Sequence, residues 1–183
     1  HLLFGVPLHW MRDWGTPFPL HVDHASGAEL TTVDGQVLVD FCLGDTGAMF
    51  GHSPAPVAAA VAHQAGRGYT AMLATQDAAL VGQQLAERFG LPFWQFAMSA
   101  TDANRYVVRW IRAATGRRKI LVFNGCYHGT IEDVFVDLVD GQPVQRDSLL
   151  GQVHNLLEHT VVVEFNDLPA LDAALAEIGR AHV

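Results

Sequence analysis

Two short stretches carry residue types suited to chemistry. The first is Ser99-Ala100-Thr101, inside FAMSATDANR at residues 96–105. Hydroxyls and small side chains stand there where an apolar run hands over to a helical pattern. A helix start presents unpaired amides and the positive end of the helix dipole. Small residues let an anion reach that backbone, so a phosphate group suits the place. A plainer role is equally open, because Ser99 or Thr101 is a good N-cap. Asp102 in the first turn favours the dipole, yet it would repel a phosphate unless it points away. The second stretch is Tyr127-His128-Gly129, in the loop after the next apolar run. The Tyr127 ring could face a planar group whose phosphate rests on the first stretch, a stacking contact worth roughly 0.5–1.5 kcal/mol beyond area burial. The plainer readings are a half-buried core tyrosine and a hydrogen-bonded loop histidine.

The elements that must position these stretches follow from pattern. Residues 93–98 (FWQFAM) read as a strand. Thr101 to Thr115 reads as a helix, with Ala103, Val107, Trp110, Ile111 and Ala114 on one face and Gly116 just past its end. Ile120-Leu121-Val122-Phe123 reads as a buried strand, and Thr160 to Phe165 as another, with Asn166-Asp167 capping a helix near Pro169. Both candidate loops therefore leave carboxyl ends of strands, where ligands gather in open α/β sheets. Upstream, Asp34-Gly35 between two β-prone runs predicts a hairpin with a primed turn. A helix opens at Ser53 or Pro54 and runs to about Ala65, and a second runs from an N-cap at Thr75 to Phe89. Residues 131–158 give no clear pattern beyond a turn at Asp140-Gly141-Gln142-Pro143. Strands alternating with helices predict an α/β fold with parallel strands.

Composition excludes some partners. The chain has 183 residues, half of them apolar, and a net charge of −8 with only eleven Lys plus Arg. A nucleic-acid binder needs a basic face, so nucleic acid is not expected. No apolar run approaches a membrane span. The ten histidines are scattered, and the nearest approach to a ligand pair is His21 and His24 beside Asp23, so no metal is expected. Cys42 and Cys126 match no zinc spacing and read as two buried free thiols of a cytoplasmic protein.

Taken in order, Ser99-Ala100-Thr101-Asp102-Ala103-Asn104, Thr115-Gly116-Arg117 and Tyr127-His128-Gly129 resemble the class III aminotransferases. Asp34-Gly35, Val39-Asp40-Phe41, Gly51-His52, Pro56-Val57 and Leu85 to Phe89 extend the resemblance over about residues 20 to 130. It is strongest toward the glutamate-1-semialdehyde aminomutase-like members. The resemblance implies a partial fold type I (aspartate aminotransferase-like) α/β domain with an N-terminal hairpin lobe and an incomplete, mostly parallel sheet. It implies pyridoxal 5'-phosphate as cofactor, with Ser99, Ala100 and Thr101 on its phosphate, Tyr127 stacked on its ring and His128 nearby. It also implies a small-molecule amino donor, a carbonyl acceptor and a homodimer at full length. Two positions depart from the family. Ala100 stands where the family usually has Gly, and Asp45 stands where aminomutases carry an aromatic. The latter places an acid in the substrate pocket and implies a less anionic substrate. A non-covalent phosphate- or nucleotide-binding α/β domain is the alternative, but no Rossmann glycine fingerprint follows Met98.

Pyridoxal phosphate chemistry needs a Schiff-base lysine and a carboxylate facing the pyridine nitrogen. Lys119 is the only lysine. It precedes the strand at Ile120, away from the candidate loops, and reads as a surface residue. The expectation is an N-terminal fragment, inactive alone, whose lysine lies farther along the gene. Its expected parts are an N-terminal segment at 1–66 with the hairpin and first helix, a partial cofactor domain at 67–176, and a non-native tail at 177–183. The tail sequence EIGRAHV is what a common sequencing adapter encodes (GAG ATC GGA AGA GCA CAC GTC), and such scars are set aside in fold reasoning. The chain starts at His1 rather than Met, which extends the same expectation to the N-terminus.

Overall fold

The structure is a computed structural model and describes residues 1–69 and 71–179. It divides into two compact units, His1–Ala78 and Ala79–Val183.

The first unit is built on an antiparallel sheet of β1 (Val22–Ser26), β2 (Glu29–Thr32) and β3 (Val37–Val39). Asp34-Gly35 does form the predicted hairpin, but with a different turn. Gly35 N–H donates to the Thr32 carbonyl at 2.9 Å, and Thr32 N–H donates to the Gln36 carbonyl at 2.9 Å. Gly35 has positive φ and Asp34 does not. That is a three-residue loop closed by a left-handed glycine, not a primed two-residue turn. Helix α1 (Ala55–Ala65) starts directly after Pro54, as the Ser-Pro-Ala-Pro signal requires. Helix α2 (Gln76–Phe89) spans the division between the units.

The second unit holds the core. Helix α3 (Ala100–Thr115) ends at Gly116 in the left-handed conformation, one residue longer at its start than the sequence predicts. Strand β4 (Ile120–Phe123) pairs in parallel with β7 (Thr160–Val163), in register Ile120 to Thr160 through Phe123 to Val163. Between them, β5 (Val136–Val139) and β6 (Gln142–Gln145) form an antiparallel hairpin. Its turn, Asp140-Gly141, has positive φ at both residues, so the primed geometry belongs here. Helix α4 (Leu168–Ile178) is capped by Asp167, whose side chain accepts from Ala170 N–H at 2.9 Å. Val122, Ile131, Val134, Val136, Leu156 and Val162 make one buried cluster, with Val136 almost wholly enclosed.

Two expectations need correction. Residues 93–98 are not a strand, because no described segment supplies a ladder for them, and Phe93 and Met98 are left open to solvent. The cysteines are free, but Cys42 is exposed and Cys126 only partly covered. The face of α3 that carries Val107, Trp110 and Ile111 is exposed, with Trp110 at 69 %, and α3 meets the core through Val108. At the far end, α4 continues to Ile178, and Glu177 takes a 2.6 Å ion pair from Lys119. The expected tail beyond Gly179, residues 180–183, lies outside the described residues. Among the described residues no helix is long and apolar enough to cross a membrane.

Candidate functional site

Ser99 is the N-cap of α3, with extended backbone at φ −147° and ψ 159°. Its Oγ accepts from Asp102 N–H at 3.2 Å and donates to Asp102 Oδ2 at 2.9 Å. The first bond is an N-cap, and the second ties the cap hydroxyl to the third helical residue rather than giving the Ser99 backbone N–H a partner. Asp102 is thus held beside the cap, with the Arg105 guanidinium 3.4 Å from its other oxygen. The cap leaves the amides of Ala100 and Thr101 without acceptors among the described residues. They are the two donors a helix start offers an anion. Ala100 takes ordinary helical backbone as the first residue of the helix, so its β-carbon causes no strain there.

The Tyr127 loop leaves the C-terminal end of β4 and returns onto this helix start. Thr130 N–H donates to Thr101 Oγ1 at 3.1 Å. Asn104 Nδ2 donates to the His128 carbonyl at 3.0 Å. Gly129 lies between these bonds, and a β-carbon there would stand 2.5 Å from Thr101 Oγ1 and 2.9 Å from Thr101 Cα. Only glycine permits that approach, and its φ of +86° demands glycine as well. Tyr127, one residue before this clasp, is 75 % exposed. His128 Nε2 is buried and has no hydrogen-bond partner among the described residues.

Ser99, Ala100, Thr101, Tyr127 and His128 therefore lie on two segments in direct contact. Sequence reasoning missed the residues that join them. Asn104 and Gly129 stand inside the motifs it used, and the signal was Gly directly after an aromatic-His pair. A cavity of about 360 Å³ runs beside the clasp, lined by Arg105, Arg109, Thr130, Glu132 and Asp133 among others. It follows the flank of α3 rather than its start.

Asp45 belongs to the first unit. It is exposed, and it lies in a run from Leu43 to Thr46 in which every residue has positive φ. Such backbone costs roughly 1–2 kcal/mol for each residue other than glycine, so something must hold the loop. Asp40, almost buried, accepts from Cys42 N–H at 2.8 Å, Leu43 N–H at 3.0 Å and His52 Nε2 at 2.6 Å. The His52 ring, with the Leu43 and Cys42 amides, outweighs partial burial and holds the Asp40 carboxyl below its ordinary pKa.

Residues 10–162 match the family model described as aminotransferase class-III. The glutamate-1-semialdehyde 2,1-aminomutase of Methanopyrus kandleri is 32% identical over 156 residues, covering 84% of this chain and 36% of that protein. A crystal structure of a glutamate-1-semialdehyde-aminomutase from Pseudomonas aeruginosa PAO1 superposes with a TM-score of 0.89 at 51% identity, covering 97% of this chain and 39% of the other. A variant of that enzyme is known in complex with PMP. An omega-transaminase from Sphaerobacter thermophilus superposes at 0.80 with 27% identity, covering 94% and 42%. The chain thus spans well under half the length of the relatives it matches. The family match covers the helix start, the clasped loop and the parallel pair together, and this chain belongs to the class III aminotransferases, enzymes that use pyridoxal phosphate.

Proposed function

We propose that this chain is the N-terminal part of a pyridoxal-phosphate-dependent transaminase or aminomutase that moves an amino group to a carbonyl substrate. The carrying observation is the clasp, which ties the loop after Tyr127 to a helix start with two amides that lack acceptors among the described residues. The residues fit the cofactor. Ala100 and Thr101 offer amides to its phosphate, and Thr101 adds a hydroxyl, while Ser99, whose O–H is given to Asp102, holds the helix start in place. Tyr127 offers a ring face. His128 stands beside Tyr127 at the clasp, with its Nε2 buried and without a hydrogen-bond partner among the described residues.

Bound pyridoxal phosphate supplies an electron sink for the bond cleaved at the amino carbon. The protein's part here is to bind and orient. The Ser99 cap and its bond to Asp102 keep the helix start in place while the amides face the anion, and Tyr127 offers the face against which a ring rests. Lys119 takes no part. It stands at the start of β4, paired with Glu177 at 2.6 Å, whereas the site lies past the other end of that strand. The chain alone is therefore proposed to lack turnover, and the full-length protein to supply the lysine and to act as a homodimer. Asp45 is proposed to border the substrate pocket and to favour a less anionic substrate.

The test is phosphate dependence. In the full-length protein, pyridoxal phosphate should bind at least about a hundredfold more tightly than pyridoxal, since charge-assisted bonds to two amides are at stake. Equal affinities would remove the cradle and the proposal with it.

A further inference from the structure

Asn104 sits one turn into α3, partly buried, and it does not belong to the helix start itself. Its Nδ2 donates to the His128 carbonyl, in the peptide unit that joins His128 to Gly129. One turn back, Thr101 Oγ1 holds Thr130 N–H. A single bond leaves a short loop free to pivot. Two bonds on either side of Gly129 fix both its place and its direction. Thr101 also belongs to the cradle, so removing it disturbs both ends of the site. Asn104 makes its bond to the loop alone.

From this geometry we infer that Asn104 is a positioning residue, setting the height of the Tyr127 ring above the phosphate cradle and with it the fit of a phosphorylated planar heteroaromatic. This rests on the reading that Tyr127 faces such a ring. The residue type is demanding. Asp would put a carboxylate against a carbonyl oxygen, and Ala or Leu would leave that partly buried oxygen without its donor.

The test uses the full-length protein with Asn104→Asp, which keeps the shape and removes the donor, and with Asn104→Ala beside it in case the charged variant folds poorly. Pyridoxamine phosphate, measured by equilibrium dialysis, reads cradle and ring together. Inorganic phosphate, measured by competition, reads the cradle alone. Either variant should weaken pyridoxamine phosphate about tenfold and leave phosphate within about twofold. In a Tyr127→Ala background neither should weaken binding further, because the two changes act through one contact. Equal loss for both ligands, or additive loss in the double variant, overturns the inference and makes Asn104 a support of the helix. Amide exchange at Thr130 needs no ligand. It should quicken in both variants, and unchanged exchange also overturns the inference. A wild-type protein that binds no pyridoxamine phosphate defeats the proposed function instead, and the exchange result then decides whether Asn104 holds the loop.

Discussion

Replacing Gly129 with Ala tests the close approach on which the site depends. Two costs add. A left-handed backbone costs an L-residue roughly 1–2 kcal/mol. The new β-carbon would also meet Thr101 Oγ1 at 2.5 Å and Thr101 Cα at 2.9 Å, distances that real β-carbons essentially never show. Part of that obstacle is backbone, so a side-chain rotation cannot remove it, and the loop must lift. Lifting breaks the Thr130 to Thr101 bond, worth about 1 kcal/mol. The sum is about 2–3 kcal/mol, or roughly thirty- to a hundredfold in the fraction of molecules with the clasp closed. Gly125 is the control. Its φ of +69° carries the same backbone cost, but a β-carbon there meets nothing within 4 Å. In the full-length protein, pyridoxamine phosphate affinity should fall roughly thirty- to a hundredfold for Gly129→Ala, and less for Gly125→Ala, which keeps the Thr130 to Thr101 bond. Adding Thr101→Ala should recover part of the stability lost by Gly129→Ala, since Oγ1 is the nearest obstacle. If the two glycine variants behave alike, the loop does not press on the helix and the reasoning fails.

Asp40 gives a pH signature. Its carboxyl is held below the ordinary range near about 4, so its contribution is fully present above that range and is lost as pH falls through the lowered value. Asp40→Asn should lower the urea midpoint at neutral pH, with a gap from wild type that closes below about pH 4. A gap of constant size down to acid would contradict the carboxylate's role. Ala100→Gly tests the departure from the family's glycine. Because Ala100 is helical, the change should leave pyridoxamine phosphate affinity within about twofold and cost under about 1 kcal/mol of stability. A large gain in affinity would show that the β-carbon of Ala100 obstructs the phosphate.

How much of this was legible depended on whether the signal was local. Gly116 closes α3 and Asp167 opens α4 because caps are decided within a turn. Ile120–Phe123 was readable because four consecutive apolar residues bounded by Arg-Lys and Asn-Gly leave little choice. The misses were non-local. Both Asp-Gly pairs look alike in sequence, yet Asp34-Gly35 closes a three-residue loop while Asp140-Gly141 makes the primed turn, because strand pairing fixes how many residues the turn must span. Residues 93–98 have strand composition without a neighbour, and a strand exists only where a ladder does.

The same distinction explains the site. Ser99-Ala100-Thr101 could be read as an anion cradle because a helix start is a local object. The return of the Tyr127 loop onto it could not, because that depends on a contact across 29 residues between Thr101 and Thr130 and another across 24 between Asn104 and His128. A cradle without the clasp would hold phosphate esters of many kinds, since amides at a helix start recognise only the anion. Selectivity for a planar ring must come from the element that fixes a ring plane relative to that anion. On the proposed function that element is the loop that Gly129 lets press on Thr101, and a residue without a side chain then bears on which phosphorylated molecule fits.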